Sequence, residues 1–177
     1  MKTPFRIGTA TYLRPVERTD AATIQPWMND LEVTRNLTRF LPISLQAQEA
    51  FLDGMGERGD VVLGIADKAS DALVGVCGLH DLHWQTRQAA FGITVGDKAA
   101  QGKGHGTEAT RLMVGFAFET LNLNRVWLKV YEGNDRAARV YEKAGFRKEG
   151  VLRDDAFRDG RYRDSIVYGI LRAEWKP

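Results

Sequence analysis

Gln101-Gly102-Lys103-Gly104-His105-Gly106 is the stretch on which the reading of this chain turns. Upstream lies a strand-like segment with Phe91, Ile93 and Val95 on alternate positions, and a helix-like pattern opens near Thr107. A glycine-rich turn that runs onto a helix leaves several backbone N–H groups unpaired and pointing one way. The helix dipole adds partial positive charge at the same place. Such a turn is an anion site, most often for phosphate or pyrophosphate.

Working outward, residues 8–16 read as a first strand carrying Tyr12, Leu13 and Val16. Asp20 is placed to cap a helix with Ile24, Trp27 and Met28. Glu32 to Phe40 reads as a short helix and a loop ending at Pro42, and Ser44 caps a helix through about Met55. Three closely spaced strands follow, 61–65, 73–79 and 89–95, as an antiparallel meander. Ala109, Leu112, Met113, Phe116 and Ala117 fall on one face of a helix. Val126, Leu128 and Val130 alternate as a strand, Asn134 caps a helix ending at Gly145, and two last strands flank the hairpin signal Asp159-Gly160. The class is α/β (α+β), with seven strands in a mixed, mainly antiparallel sheet and about four helices.

Composition narrows the function. The 177 residues suggest a single domain, 1–177, and a net charge of +2 with acids interleaved among the bases argues against a nucleic-acid partner. Cys77 is the one cysteine, so neither an internal disulfide nor a cysteine-rich zinc site is expected, and its strand-like surroundings make it a buried, inert thiol. There is no apolar leader and no run of about 20 apolar residues. The expectation is therefore a cytoplasmic protein without membrane contact.

Two familiar phosphate loops fit poorly. A Walker loop needs four residues between its glycine and the Gly-Lys-[Ser/Thr] triplet; here five separate Gly96 from Gly102, and Gly104 follows Lys103. A dinucleotide fingerprint can be spelled from Gly104, Gly106 and Ala109, but eight residues separate Gly104 from Val95 and a meander comes first. Gln101-x-x-Gly104-x-Gly106 resembles instead the pyrophosphate loop of GNAT-type N-acetyltransferases. Asn134-Asp135-Arg136-Ala137-x-x-x-Tyr141-x-x-x-Gly145-Phe146 is similar to the second signature of that family, in the right order and spacing. The style is nearest the branch of Rim-type ribosomal-protein and spermidine acetyltransferases.

The resemblance implies a sheet splayed between its fourth and fifth strands, the one ending at Val95 and the one beginning at Val126. Acetyl-CoA would bind there as co-substrate, with its pyrophosphate on Gln101, Gly102, Lys103, Gly104, His105, Gly106 and Thr107. Its pantetheine arm would run along Ile93, Thr94 and Val95. The resemblance also implies contacts from Asn134, Ala137 and Tyr141. The Val95 amide would face the thioester oxygen, and Tyr141 would act as general acid toward the departing thiolate. No metal is expected.

The resemblance carries over no base. Where relatives carry glutamates, this chain has Ala89-Ala90 and Lys129. Glu32, His80, Asp81 and His83 are the local candidates on the acceptor side, with Trp27, Arg35, Arg39 and Asp159 to Tyr162 as flanking residues; deprotonation through water is the other route. The acceptor is a small-molecule amine or a peptide N-terminus, and the scarcity of acids argues against a polyamine. A homodimer is common among such enzymes. A catalytically silent CoA-binding module is the alternative that the doubtful base leaves open.

Overall fold

The computed structural model describes residues 1–39, 41–55 and 59–176. Phe40, at the end of the predicted helix-and-loop segment, lies outside them. The elements run β1 (Arg6–Ile7), β2 (Thr11–Pro15), α1 (Ala21–Asn29), α2 (Leu31–Thr34), α3 (Leu45–Asp53), β3 (Val61–Asp67), β4 (Leu73–His83), β5 (Gln88–Val95), α4 (His105–Glu119), β6 (Arg125–Tyr131), α5 (Asp135–Lys143), β7 (Arg147–Arg158) and β8 (Arg161–Leu171). They build one sheet of order β1-β2-β3-β4-β5-β6-β8-β7. Every neighbouring pair is antiparallel except β5 and β6, which run parallel.

The sheet therefore has eight strands where seven are expected. The predicted strand 8–16 begins later, at Thr11, and the residues before it fold back as β1. A tight turn closed by the Gly8 amide on the Thr11 carbonyl makes the bend. Glu108 of α4 reaches across to the amides of Thr9 and Ala10, at 3.1 Å to the latter. A Cβ at Gly8 would stand 2.5 Å from that carboxylate, so the turn takes its shape from the helix it touches.

Asp20 also behaves otherwise than expected. Its side chain does not cap α1. It turns back to accept from the Glu17 amide at 2.8 Å and from both Arg14 nitrogens at 2.7 and 2.8 Å. The bidentate pair pins the start of α1 to β2. Burial alone would raise the Asp20 carboxyl, but the Arg14 guanidinium and the Glu17 amide outweigh it and hold the group below its usual value.

Other local signals fold as their residue types dictate. Ser44 accepts from the Ala47 amide at the start of α3. Asp159 and Gly160 have φ of 51° and 77°, as a two-residue hairpin with both central residues left-handed requires.

Two apolar clusters hold the layers. The larger lies between α4, α5 and one face of the sheet and includes Leu79, Phe91, Met113, Phe118, Leu128 and Ile170. Ala109, Met113 and Ala117 of the predicted α4 face are fully buried in it. Cys77 belongs to the same cluster, and burial pushes its thiol up, consistent with an inert role. The smaller cluster packs Ala21 and Ile24 of α1 on Leu52 of α3, against the opposite face near Val76. No helix among the described residues is long and apolar enough to cross a membrane.

Candidate functional site

The parallel pair β5–β6 is joined at three positions: Gln88 with Arg125, Ala89 with Val126 and Ala90 with Trp127. Beyond Ala90 the strands part. Phe91 to Val95 keep β4 on one edge and have no strand on the other, which leaves a wedge lined by backbone groups able to pair with an extended ligand. The splay expected at this point in the chain is therefore present. At its far end the Val95 carbonyl accepts from Gln101 Nε2 at 2.8 Å, and Gln101 Oε1 accepts from Arg136 at 2.9 Å. One side chain thus ties the strand to the loop and the loop to α5.

The glycine run follows a single 3₁₀ turn at Lys98–Ala100. Gly102 and Gly104 have φ of 82° and 95°, a left-handed backbone, and a Cβ at either would meet nothing within 4 Å. They are needed for conformation, and the space above them is open to a ligand. Gly106 is different: its Cβ would make an ordinary 3.6 Å contact with the Val95 side chain.

The helix α4 begins at His105, two residues before the expected start, and Gly104 sits at its N-cap position without any side-chain cap. The first amides of α4 thus have no side-chain acceptor at the cap and face the cavity, of about 400 Å³, bordered by Gly102, Gly104, Gly106 and Thr107. His105 contributes backbone alone. Its imidazole is buried and hydrogen-bonds Thr11 through Nδ1 at 2.8 Å, away from the ligand space. Lys103 is exposed and does not border the cavity.

Cations to which the sequence reading assigns no role here do border it: Lys129, Arg136, Arg139 and Lys143. The last three lie three and four residues apart along α5, the spacing of one helical face, and that spacing is the available signal. Asn134 caps α5, accepting from the Ala137 amide through Oδ1 at 3.3 Å, and the cap leaves its Nδ2 for other use. Tyr141 is 7% exposed, with edge contacts to Phe91 at 6.2 Å and Phe146 at 5.9 Å. Burial drives its phenol above the usual value, so the group stays protonated throughout the physiological range.

A second cavity of about 540 Å³ opens beneath α1 and α3. It meets the first at Asn36, Leu37, Ile93, Thr94, Lys129 and Tyr141, which border both. A group transferred from one space to the other must pass this junction. Val95 borders the first cavity alone; Ile93, two residues back along the strand, borders both.

The four acceptor-side candidates do not assemble. Glu32 sits at the mouth of the first cavity, exposed and paired with Lys98 at 2.6 Å. His83 folds into the β4–β5 turn, where its Nδ1 accepts from the Thr86 amide at 3.2 Å. His80 and Asp81 do border the second cavity. They lie on β4 itself, at a register irregularity between His80 and His83, and not in a loop after the strand. Among the described residues no three His, Cys, Asp or Glu side chains gather as a metal site.

His80 is held in a specific way. Its Nδ1 lies 3.2 Å from Asp60 Oδ2. A carboxylate there favours the tautomer with hydrogen on Nδ1, leaving Nε2 to accept a proton. The Nε2 edge lies over two glycines: a Cβ at Gly78 would come within 2.9 Å of it and one at Gly92 within 3.6 Å. Asp60 escapes a sequence reading because it precedes β3, twenty residues from its partner, and no local spacing links them.

The remaining flanking residues divide. Trp27 packs flat on the turn after β5, where a Cβ at Gly96 would fall 2.1 Å from its ring. Arg35 faces Asp159 of the β7–β8 hairpin at 3.9 Å, and Arg39 borders the second cavity. Arg158 donates to the carbonyls of Leu37 and Thr38, tying that hairpin to the segment after α2.

The acetyltransferase (GNAT) domain family matches residues 11–147. The chain is 30% identical over 172 residues to the uncharacterized N-acetyltransferase p20 of Bacillus licheniformis, covering 92% of this chain and 93% of that one. It is 32% identical over 168 residues to the spermidine N(1)-acetyltransferase of Escherichia coli K12, covering 92% and 87%. Among solved structures it superposes on the spermidine N-acetyltransferase of Vibrio cholerae in complex with CoA and spermine. The TM-score is 0.87 at 26% identity, over 94% of this chain and 98% of that one.

Proposed function

The chain belongs to the GNAT acetyltransferase family, and on that premise we propose that it is a single-domain enzyme that moves the acetyl group of acetyl-CoA to a primary amine by direct attack in a ternary complex. The observation that carries the reading is the junction of the two cavities, with Tyr141 on its wall and the open edge of β5 beside it. The residues present fit acetyl-CoA. The strand-free edge of Phe91 to Val95 suits the amide-bearing pantetheine arm, and the α4 amides with Arg136, Arg139 and Lys143 suit its phosphates. When bound it supplies a thioester carbonyl for the amine to attack.

Residues of the chain supply the rest. The backbone edge of β5 at Val95 and Ile93 offers an amide to the carbonyl oxygen as charge builds there; of the two, Ile93 also borders the second cavity. His80, oriented by Asp60, takes a proton from the amine on the acceptor side. As the N–C bond forms and the C–S bond breaks, Tyr141 gives its proton to sulfur. The transfer from a raised phenol to a thiolate of pKa about 8.5 is uphill in water, but the same burial raises the proton affinity of the sulfur. The acceptor is a small-molecule amine or a peptide N-terminus.

Calorimetric titration with acetyl-CoA, with NADH and ATP as controls, tests the cofactor. Release of free thiol in the presence of an amine panel tests turnover. Selective, saturable binding of acetyl-CoA is expected; preference for NADH or ATP would sink the reading. Asp60→Asn should lower kcat/KM for the amine about tenfold and spare acetyl-CoA affinity.

A further inference from the structure

The second cavity is bordered mainly by apolar side chains, with Asn36, Thr38, Gln48 and Thr94 as its neutral polar members. Ile24 and Met28 of α1, Phe51 and Leu52 of α3, Val76 of β4 and Trp127 of β6 are among its apolar members. At about 540 Å³ it is the size of a site for a compact organic molecule. Charge on the wall is sparse, and two of its members are already engaged. Lys129 pairs with Asp155 at 3.2 Å and His80 with Asp60, while Arg39 adds a further cation. Asp81 is the one carboxylate among the described residues that borders the space.

We propose that the acceptor is a primary monoamine with an apolar body, such as an arylalkylamine, and that polyamines are excluded. The inference rests on acetyl transfer at the junction described above. A polyamine keeps one or two further ammonium groups after the reacting nitrogen loses its proton. Each must be desolvated against Ile24, Met28 or Trp127, with Asp81 as the sole carboxylate to share and Arg39 in opposition. An aromatic or branched aliphatic body has the reverse balance. It exchanges water for the α1–α3 wall and asks for no charge partner beyond the reacting end.

The test measures kcat/KM on the purified full chain at saturating acetyl-CoA. Tryptamine and 2-phenylethylamine serve as apolar monoamines, glucosamine as a polar monoamine and spermidine as the polyamine. Acetyl-CoA binding is measured in parallel by calorimetry. Either apolar amine should exceed spermidine and glucosamine by at least about tenfold. Arg39→Glu, which places a second carboxylate on the wall, should move the spermidine-to-tryptamine ratio upward by about tenfold. Bound acetyl-CoA with spermidine or glucosamine preferred, or with no apolar amine turned over, overturns the acceptor class while leaving the cofactor reading intact. Failure to bind acetyl-CoA overturns the parent reading instead.

Discussion

The two cavities that meet at Tyr141 are made of different material. The first cavity, proposed for the cofactor, draws on backbone: an open strand edge, two left-handed glycines and the first amides of α4, with a row of cations along α5 at its rim. The second cavity, proposed for the acceptor, is mostly side chain, contributed by α1, α3, β4 and β6 from widely separated parts of the sequence. Backbone sites impose rigid demands on residue type, because only glycine tolerates the required dihedral and close approach. Side-chain cavities demand only summed shape and polarity, which many sequences satisfy. One half of such a molecule can stay recognisable while the other is rebuilt for a new substrate.

Substitutions at the boundary and on either side sharpen this contrast. The largest effect is expected at the junction. Tyr141→Phe keeps the ring contacts with Phe91 and Phe146 but removes the proton, so kcat should fall about 100-fold with acetyl-CoA affinity nearly unchanged in steady-state and binding measurements. Turnover at the wild-type level would remove the acid from the mechanism.

Next is the pin of the acceptor-side roof. Asp20→Asn leaves Arg14 without its carboxylate, at a cost of about 2 kcal/mol at neutral pH, read by thermal unfolding. The Asp20 carboxyl lies below its usual value in the folded state, so its stabilisation is present above the unfolded-state pKa of about 3.9 and is lost as pH falls through the lower folded value. The gap between wild type and variant should close on acidification. A gap independent of pH would assign the loss to packing.

On the cofactor side, Gly104→Val strains a left-handed position by about 1–2 kcal/mol and puts methyl groups in the ligand space. Acetyl-CoA affinity should drop about tenfold or more with the acceptor KM unmoved. The smallest effect belongs to Asn134→Ala, about 1 kcal/mol from the lost cap of α5, visible as a modest fall in Tm. A further loss of acetyl-CoA affinity would show that Nδ2 also touches the cofactor.

The same contrast explains which features are legible in the amino-acid sequence. Gly102 and Gly104, the Asn134 cap, the Asp159-Gly160 hairpin and the periodic face of α4 are local, so a window of a few residues carries them. The His105 side chain is not legible in this way, because nothing local foretells Thr11, ninety-four positions away, as its partner. Asp20 reads as a helix cap because the residue type fits that role, yet Arg14 offers it a stronger, bidentate partner. His80 stands out in the sequence, but its meaning comes from Asp60 and from the glycines at 78 and 92, which meet it across three strands. Grouping it with Glu32 follows residue type and with His83 nearness in sequence, and folding sends those two elsewhere.

Three register pairs carry the whole ladder between the five strands β1–β5 and the three strands β6, β8 and β7. Mechanically the sheet is two plates joined by a short seam, with α4 lying across it and touching β4, β5 and β6. A load applied across the molecule concentrates at that seam. A pantetheine arm paired along Phe91 to Val95 would act as a splint over the gap, so each catalytic cycle ends by releasing a brace as well as a product.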